Sequence, residues 1–218
     1  MSEVIRILLA DDHEIFRDGF KAMLRKQKTI ELIGEAENGE QLIQMAKDLK
    51  PDVIVTDILM PVMDGLQATK ILSKELPWIG VIALSMLEEK ESIMDMVEAG
   101  AKGYLLKNAH KQEIIMAIHR VYEKQEYYCE NTLAKVARDL VELKERRGEP
   151  KETFPDFSDR DIAVIRYICE ELTNKEIADK MNLSVRTIEG YRERIQSKIK
   201  AKNSVGIVVY AIRNNLFQ

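Results

Sequence analysis

Two hydrophobic periods divide the chain. Up to about residue 125, short runs that are apolar throughout alternate with longer stretches whose apolar residues recur every three or four positions. The runs VIRILLA (4–10), ELIGEA (31–36), VIVTD (53–57), GVIALS (80–85) and GYLL (103–106) are aliphatic or β-branched and bounded by turn residues, which predicts strands. Between them, Glu14–Lys26 carries Ile15, Phe16, Phe20, Met23 and Leu24 on one helical stripe. Glu40–Leu49 does the same with Leu42, Ile43, Met45, Ala46 and Leu49, and Gly65–Leu76, Glu89–Ala99 and Lys111–Lys124 complete five helices. Strands without a polar face, each followed by a helix, predict an α/β unit: a five-stranded parallel, doubly wound sheet with helices on both faces.

Beyond residue 125 the period stays helical. Leu133, Val136, Ala137, Leu140, Val141 and Leu143 form a stripe that ends in KERRGEPKETFP, where Gly148, Pro150 and Pro155 break any helix. The pattern divides the chain into a first domain over 1–125, a linker over 126–155 that is helical and then flexible, and a small all-α domain over 156–218. That last segment reads as four short helices, Ser158–Glu171, Asn174–Lys180, Val185–Lys200 and Ser204–Asn214, with Ser158 and Asp161 forming a capping-box-like start.

Composition narrows the class. The 218 residues are 45% hydrophobic and 32% charged, a globular balance. No apolar run reaches the roughly 20 residues of a membrane span. MSEVIRILLADD lacks the basic start and long apolar centre of a signal peptide, so the expected address is the cytoplasm. There Cys129 and Cys169 are expected to be reduced thiols. His13, His110 and His119 are too dispersed along the chain to suggest a metal site. The net charge of −4 hides a local excess of cations: Lys180, Arg186, Arg192, Arg194, Lys198, Lys200 and Lys202 stand against only Glu189 and Glu193. Such a cluster points either to a polyanion partner or to a solvated helix face.

The predicted strands end on chemistry. The first leads into Asp11 and Asp12, the third ends on Asp57, the fourth on Ser85, and the fifth leads into Lys107. In an open parallel sheet these positions converge on one crevice. Three carboxylates crowded together repel one another. A hard divalent cation such as Mg²⁺, with the lysine, resolves the repulsion and leaves Asp57 placed to attack a phosphoryl group. Taken singly, each residue has a plainer reading: Asp11 and Asp12 as helix caps, Asp57 as a strand-end cap.

LLADDH, VTDILMPVMDG, ALS and AGAKGYLLK resemble the receiver domain of bacterial two-component response regulators, over residues 4 to about 124. The resemblance implies a flavodoxin-like sheet, with Asp57 as phosphoacceptor for a sensor histidine kinase. Asp12, Asp57 and the backbone carbonyl of Leu59 would hold Mg²⁺, and Asp11 would act mostly through water. Lys107 would pair with the phosphoryl oxygens and Ser85 would hydrogen-bond one of them. Tyr104 would be the aromatic switch, its alternative being a packed strand aromatic. Departures from the family pattern have consequences. Bulky Met86 follows the hydroxyl position and is expected to hinder small phosphodonors. Leu59 and Leu87 offer no polar group to orient water, which predicts slow hydrolysis of the aspartyl phosphate. Asn108 follows Lys107 where many receivers have proline, so a cis bond is not assured there.

LTNKEIADKMNLSVRTIEGYRERI resembles the NarL/LuxR-type helix-turn-helix, over residues 156–217. The resemblance implies that the helix from Val185 enters the major groove of double-stranded DNA. Glu189, Gly190 and Glu193 would face base edges, with Lys175, Arg186, Thr187, Arg192, Arg194 and Lys198 on phosphates. Glu189 and Glu193 serve equally well as surface salt-bridge partners. Val205, Val208, Val209 and Ile212 on the last helix would form a dimer contact or pack on their own domain. Together these features describe a phosphorylation-controlled, DNA-binding transcription regulator that forms homodimers when phosphorylated and has no independent enzymatic turnover. Two rivals stand beside it: a Mg²⁺-dependent aspartyl phosphatase, which would place an Asp where Leu59 is, and a ligand-sensing LuxR-type regulator that is not phosphorylated.

Overall fold

The computed structural model describes residues 4–86, 90–128, 133–146, 148, 157–214 and 216–217; Leu87, Cys129, Pro150 and Pro155 lie outside them. Contacts divide the chain into two units, Met1–Cys129 and Glu130–Gln218.

In the first unit, strands β1 (Ile5–Ala10), β2 (Ile30–Ala36), β3 (Val53–Asp57), β4 (Gly80–Ser85), β5 (Gly103–Leu106) and β6 (Tyr127–Tyr128) form one parallel sheet in the order β2-β1-β3-β4-β5-β6. Helices α1 (Glu14–Leu24), α2 (Gly39–Leu49), α3 (Gly65–Glu75), α4 (Lys90–Ala99) and α5 (Lys111–Tyr122) follow the first five strands in turn. The central strand β3 is buried along its whole length, as an apolar run covered on both faces must be. On one face, Leu8, Ile54 and Val81 of the sheet pack with Leu42 and Ala46 of α2 and Ala68 and Leu72 of α3.

The sheet has six strands where five were expected. β6 has only two residues, too few to show a period; it follows a turn at Lys124, whose φ is +61°, and pairs Gly103 with Tyr127 and Tyr104 with Tyr128. A second departure lies on α1. Phe20 and Leu24 are buried as the stripe requires, but Ile15 is 89% exposed.

In the second unit, α6 (Leu133–Arg146), α7 (Asp159–Cys169), α8 (Asn174–Met181), α9 (Val185–Ile199) and α10 (Ser204–Arg213) are all helical. Capping organises them. Ser158 and Asp161 form the expected reciprocal box at the start of α7, and Thr173 and Glu176 form another on α8. Ser184 caps α9 and Asn203 caps α10, while Asn182, at φ +53°, makes the left-handed exit from α8 into the turn before α9. α6 packs on α10 within this unit, as does α7. Among the described residues no helix is long and apolar enough to cross a membrane.

The β3–α3 loop is where backbone strain meets the strand end. Val62 has φ +68°, the left-handed region, which costs a β-branched residue roughly 1–2 kcal/mol. Its side chain is 78% exposed, so no packing repays that cost. Val62→Gly is therefore expected to stabilise the first unit by about 1 kcal/mol, after allowing for glycine's greater freedom when unfolded. Urea unfolding monitored by circular dichroism reads the shift, and an unchanged or lower midpoint contradicts it.

Candidate functional site

At the C-terminal edge of the sheet, β1 and β3 lie side by side with Ala10 opposite Thr56, and β3 pairs with β4 with Asp57 opposite Leu84. This register sets Asp11, one residue past β1, beside Asp57 at the end of β3. Both carboxylates are buried. Lys107, one residue past β5, is held to β4 by its own N–H, which donates to the Ser85 carbonyl at 2.7 Å. Its ammonium reaches back into the notch, 2.6 Å from Asp57 Oδ2 and 2.7 Å from Asp11 Oδ2. The Phe16 ring from α1 lies 4.9 Å below that ammonium, a cation–π contact that covers it on one side.

Backbone groups complete the notch. The Leu59 N–H donates to Asp57 Oδ1 at 3.3 Å, and the His13 N–H donates to Asp11 Oδ1 at 2.8 Å. The Arg17 guanidinium, paired with Glu37, donates to the Asp11 carbonyl at 2.7 Å and fixes the β1–α1 turn. Gly65 donates its N–H to the Ile58 carbonyl at 2.8 Å and passes so close to β3 that a Cβ there would overlap the Asp57 carbonyl oxygen. Close approach makes glycine necessary at Gly65.

The electrostatics are unbalanced as the notch stands. Burial pushes the Asp57 carboxyl above the ordinary carboxylate range, and Lys107 pulls it back without cancelling the effect. Burial also works against the Lys107 ammonium, yet its two carboxylate partners outweigh that and hold its pKa above the usual lysine value. Two buried carboxylates share one cation, with Asp12 a third anion at the rim. Asp11 Oδ2 is fully buried and has the Lys107 ammonium as its partner. Asp11, Asp12, His13 and Asp57 each offer a ligand atom within 4.8 Å of the others. An oxygen-rich pocket with more carboxylates than its one lysine can balance fits a hard divalent cation.

Of the residues nominated from sequence, Asp11, Asp12, Asp57 and Lys107 meet in this notch, with the Leu59 backbone on its rim. Ser85 is half-buried at the end of β4, and Tyr104 is buried in β5 between Ala83 and Tyr128. Met86 is 76% exposed at the mouth. The dispersal of the three histidines along the chain misled: His13 belongs to the cluster. The available signal was its adjacency to Asp11 and Asp12 at a strand-to-helix junction. Phe16, Arg17 and Gly65 were also missed as site residues, because their roles depend on contacts that no spacing reveals. Beside the notch, α1 and α5 frame an apolar cavity of about 520 Å³ lined by Ile15, Phe16, Phe20, Met23, Met86 and Ile114 among others.

The helical unit sorts its cations. Lys175, Arg186 and Thr187 are exposed at the start of α8 and α9, with Gly190 and Glu193 also exposed and Glu189 half-buried. Arg192 turns inward, donating to Asn174 Oδ1 of α8 at 3.0 Å and to the Ser204 hydroxyl of α10. It ties three helices together. Arg194 is paired with the buried Asp161 and stacks on Tyr191, and Lys198 stands 3.8 Å from Asp161 and over the Phe157 ring. With these partners Asp161 holds its carboxyl below the ordinary range despite burial. Val205, Val208 and Val209 are buried in their own unit, where α6 and α7 cover α10; Ile212 is half-buried.

Comparison with known proteins agrees with both halves. The response regulator receiver domain family matches residues 7–119, and the luxR family of bacterial regulatory proteins matches residues 155–211. The transcriptional regulatory protein LiaR of Bacillus subtilis is 36% identical over 98% of this chain and 99% of its own. The response regulator protein VraR of Staphylococcus saprophyticus is 30% identical, over 98% and 99%. The crystal structure of ChrA, the response regulator of a heme-sensing two-component system, shares 28% identity over all of both chains with a TM-score of 0.52. The receiver domain of the putative response regulator NarL of Mycobacterium tuberculosis shares 32%, covering 56% of this chain and 99% of that one, with a TM-score of 0.54. The chain belongs to the two-component response regulators, with a receiver domain and a LuxR-type DNA-binding domain, and is a transcriptional regulator.

Lys107 is the cation shared by Asp11 and Asp57, so its removal leaves the two carboxylates facing each other without that counter-charge. Lys107→Met is expected to destabilise the first unit by about 3 kcal/mol in metal-free buffer. Millimolar Mg²⁺ should recover more stability in this variant than in the wild type. Parallel urea titrations with EDTA and with Mg²⁺ test both statements, and equal effects of Mg²⁺ on the two proteins refute the second.

Proposed function

We propose that this response regulator receives a phosphoryl group on Asp57 from the phosphohistidine of a sensor histidine kinase, and that the modification controls DNA binding by the helical unit. The observation that carries the reading is the notch itself, where Asp57 is buried within ion-pair distance of Lys107 and beside Asp11. An Asp57 carboxylate oxygen forms the new P–O bond as the P–N bond to the kinase imidazole breaks, and the imidazole takes up a proton. Lys107 pairs with the transferred oxygens, and the Ser85 hydroxyl donates to one of them. Asp11, Asp12, Asp57 and the Leu59 carbonyl would hold Mg²⁺, which supplies charge neutralisation as the phosphoryl group approaches. The protein positions and neutralises but has no independent turnover. The apolar floor between α1 and α5, with exposed Ile15 at its edge, offers the kinase a surface beside the acceptor.

Phosphorylation adds roughly −1.5 to −2 charges to a notch that already holds an excess of anions. Ser85 and Lys107 then turn toward the new oxygens, and buried Tyr104 between β4 and β6 is the side chain placed to respond. In this reading the phosphorylated protein acts in the cytoplasm as a homodimer on double-stranded DNA. The α10 stripe becomes available to a second copy only if α6 gives way. α9 enters the major groove, with Glu189, Gly190 and Glu193 toward base edges and Lys175, Arg186 and Thr187 on phosphates.

Incubation with acetyl phosphate and Mg²⁺, followed by intact-mass measurement, light scattering and DNA binding, tests the proposal. Wild type is expected to gain one phosphoryl group, shift toward a dimer and bind DNA more tightly, while Asp57→Ala shows none of these. Labelling that persists in Asp57→Ala removes the reading. Met86→Ala is expected to label faster with this small donor, because its exposed side chain stands at the mouth.

The two classes of cation should separate in solution. Lys175→Ala and Arg186→Ala are each expected to weaken binding to random-sequence duplex and lower the salt slope by about 1, with folding unchanged. Arg192→Ala is expected to lower the unfolding midpoint of the helical unit first. A variant of Arg192 that folds normally and loses only DNA affinity would contradict this division.

A further inference from the structure

We propose that His13 is an additional protein ligand in the carboxylate notch, its one nitrogen donor, and that it biases the notch toward divalent first-row transition ions such as Mn²⁺ and Co²⁺ over Mg²⁺. The inference rests on the reading above that the notch holds a divalent cation. It adds a ligand and a metal preference.

The placement of His13 comes from the backbone. It stands at the N-cap of α1, and its N–H donates to Asp11 Oδ1, which anchors the residue beside the notch. From there the ring reaches the carboxylates: Nδ1 lies 3.1 Å from Asp11 Oδ1 and 2.8 Å from Asp12 Oδ1. A ring nitrogen of His13 is among the four ligand atoms, with those of Asp11, Asp12 and Asp57, that fall within 4.8 Å of one another. An N-cap residue commonly turns its side chain onto the first amides of its helix. His13 makes no such bond. Its ring faces the anions instead, with its side chain 67% exposed. On the inner side, Asp11 Oδ2 is buried and meets the Lys107 ammonium at 2.7 Å. The carboxylates thus approach an imidazole nitrogen from one direction and an ammonium from the other.

Ligand chemistry then sets the preference. Three carboxylates alone make a hard oxygen site, suited to Mg²⁺. One imidazole lone pair adds little for Mg²⁺ but favours ions further along the first transition row. Coordination through Nδ1 requires the hydrogen to sit on Nε2. If His13 acts only as a hydrogen-bond donor to the carboxylates, it competes with the cation, and its removal must tighten metal binding. The two roles therefore predict opposite signs.

The full-length protein is titrated with Mn²⁺, Co²⁺ and Mg²⁺ by calorimetry, and bound Mn²⁺ is examined by electron spin-echo envelope modulation. Wild type is expected to show ¹⁴N coupling from a directly bound imidazole, absent in His13→Ala and His13→Gln. Co²⁺ affinity is expected to fall about tenfold or more in both variants, while Mg²⁺ affinity changes little. Both variants keep the exposed cap position, and circular dichroism confirms their folding. Mn²⁺ bound without ¹⁴N coupling, or Co²⁺ affinity that stays level or rises in His13→Ala, overturns the role of His13 alone. Wild type that binds none of the three ions, or whose binding is indifferent to Asp57→Asn, overturns the cation-binding notch and this inference with it.

Discussion

One ammonium between two buried carboxylates governs the first unit. Lys107 lies 2.6 Å from Asp57 and 2.7 Å from Asp11, and neither acid is open to water. Burying a carboxylate without a partner costs several kcal/mol, so the sheet edge tolerates these acids only while a cation is within reach. A single lysine balances one of them. The remaining anionic charge is uncompensated, and burial first, with Asp11 beside it, holds the Asp57 carboxyl above its ordinary range. The sheet edge thus holds a buried acid whose charge depends on the neighbours at the other strand ends.

That arrangement depends on the parallel sheet. Asp11, Asp57 and Lys107 come from chain positions up to 96 residues apart, yet each follows or ends a strand in a register that aligns their ends. Gly65 lets α3 begin hard against the end of β3, where a side chain would push Asp57 out of line. Val62 accepts a left-handed conformation in the same loop. The loop's strain is located where the strand must end abruptly on a functional acid, a usual place for stored strain.

Alternation of apolar runs and helical stripes was enough to find the first five strands and the helices after them, because burial on both faces leaves an unambiguous pattern in β3 and β4. The carboxylates and Lys107 were recoverable for the same reason: strand ends are fixed once strands are. What escaped depends on three-dimensional neighbours. β6 is two tyrosines that become a strand only because β5 has a free edge. Ile15 fits the stripe of α1 yet lies past the edge of the covering core. His13 looks ordinary in sequence because only the fold shows its ring turned toward Asp11 and Asp12. Arg192 lies within a basic cluster, and nothing in a one-dimensional count shows that it faces Asn174 and Ser204.

The helical unit makes the cost of that ambiguity concrete. Its helices are short, between 8 and 15 residues, and short helices need tertiary ties. Arg192 joins α8, α9 and α10, and Arg194 with Lys198 neutralises the capping acid Asp161 of α7. Cations spent on these internal anions and amides add little to the field seen by a polyanion. The attraction falls instead to residues that remain exposed around the turn, Lys175 and Arg186 foremost. A charge counted along the sequence is therefore not the charge a helix presents to its surroundings, because part of it is already engaged in holding the helices to one another.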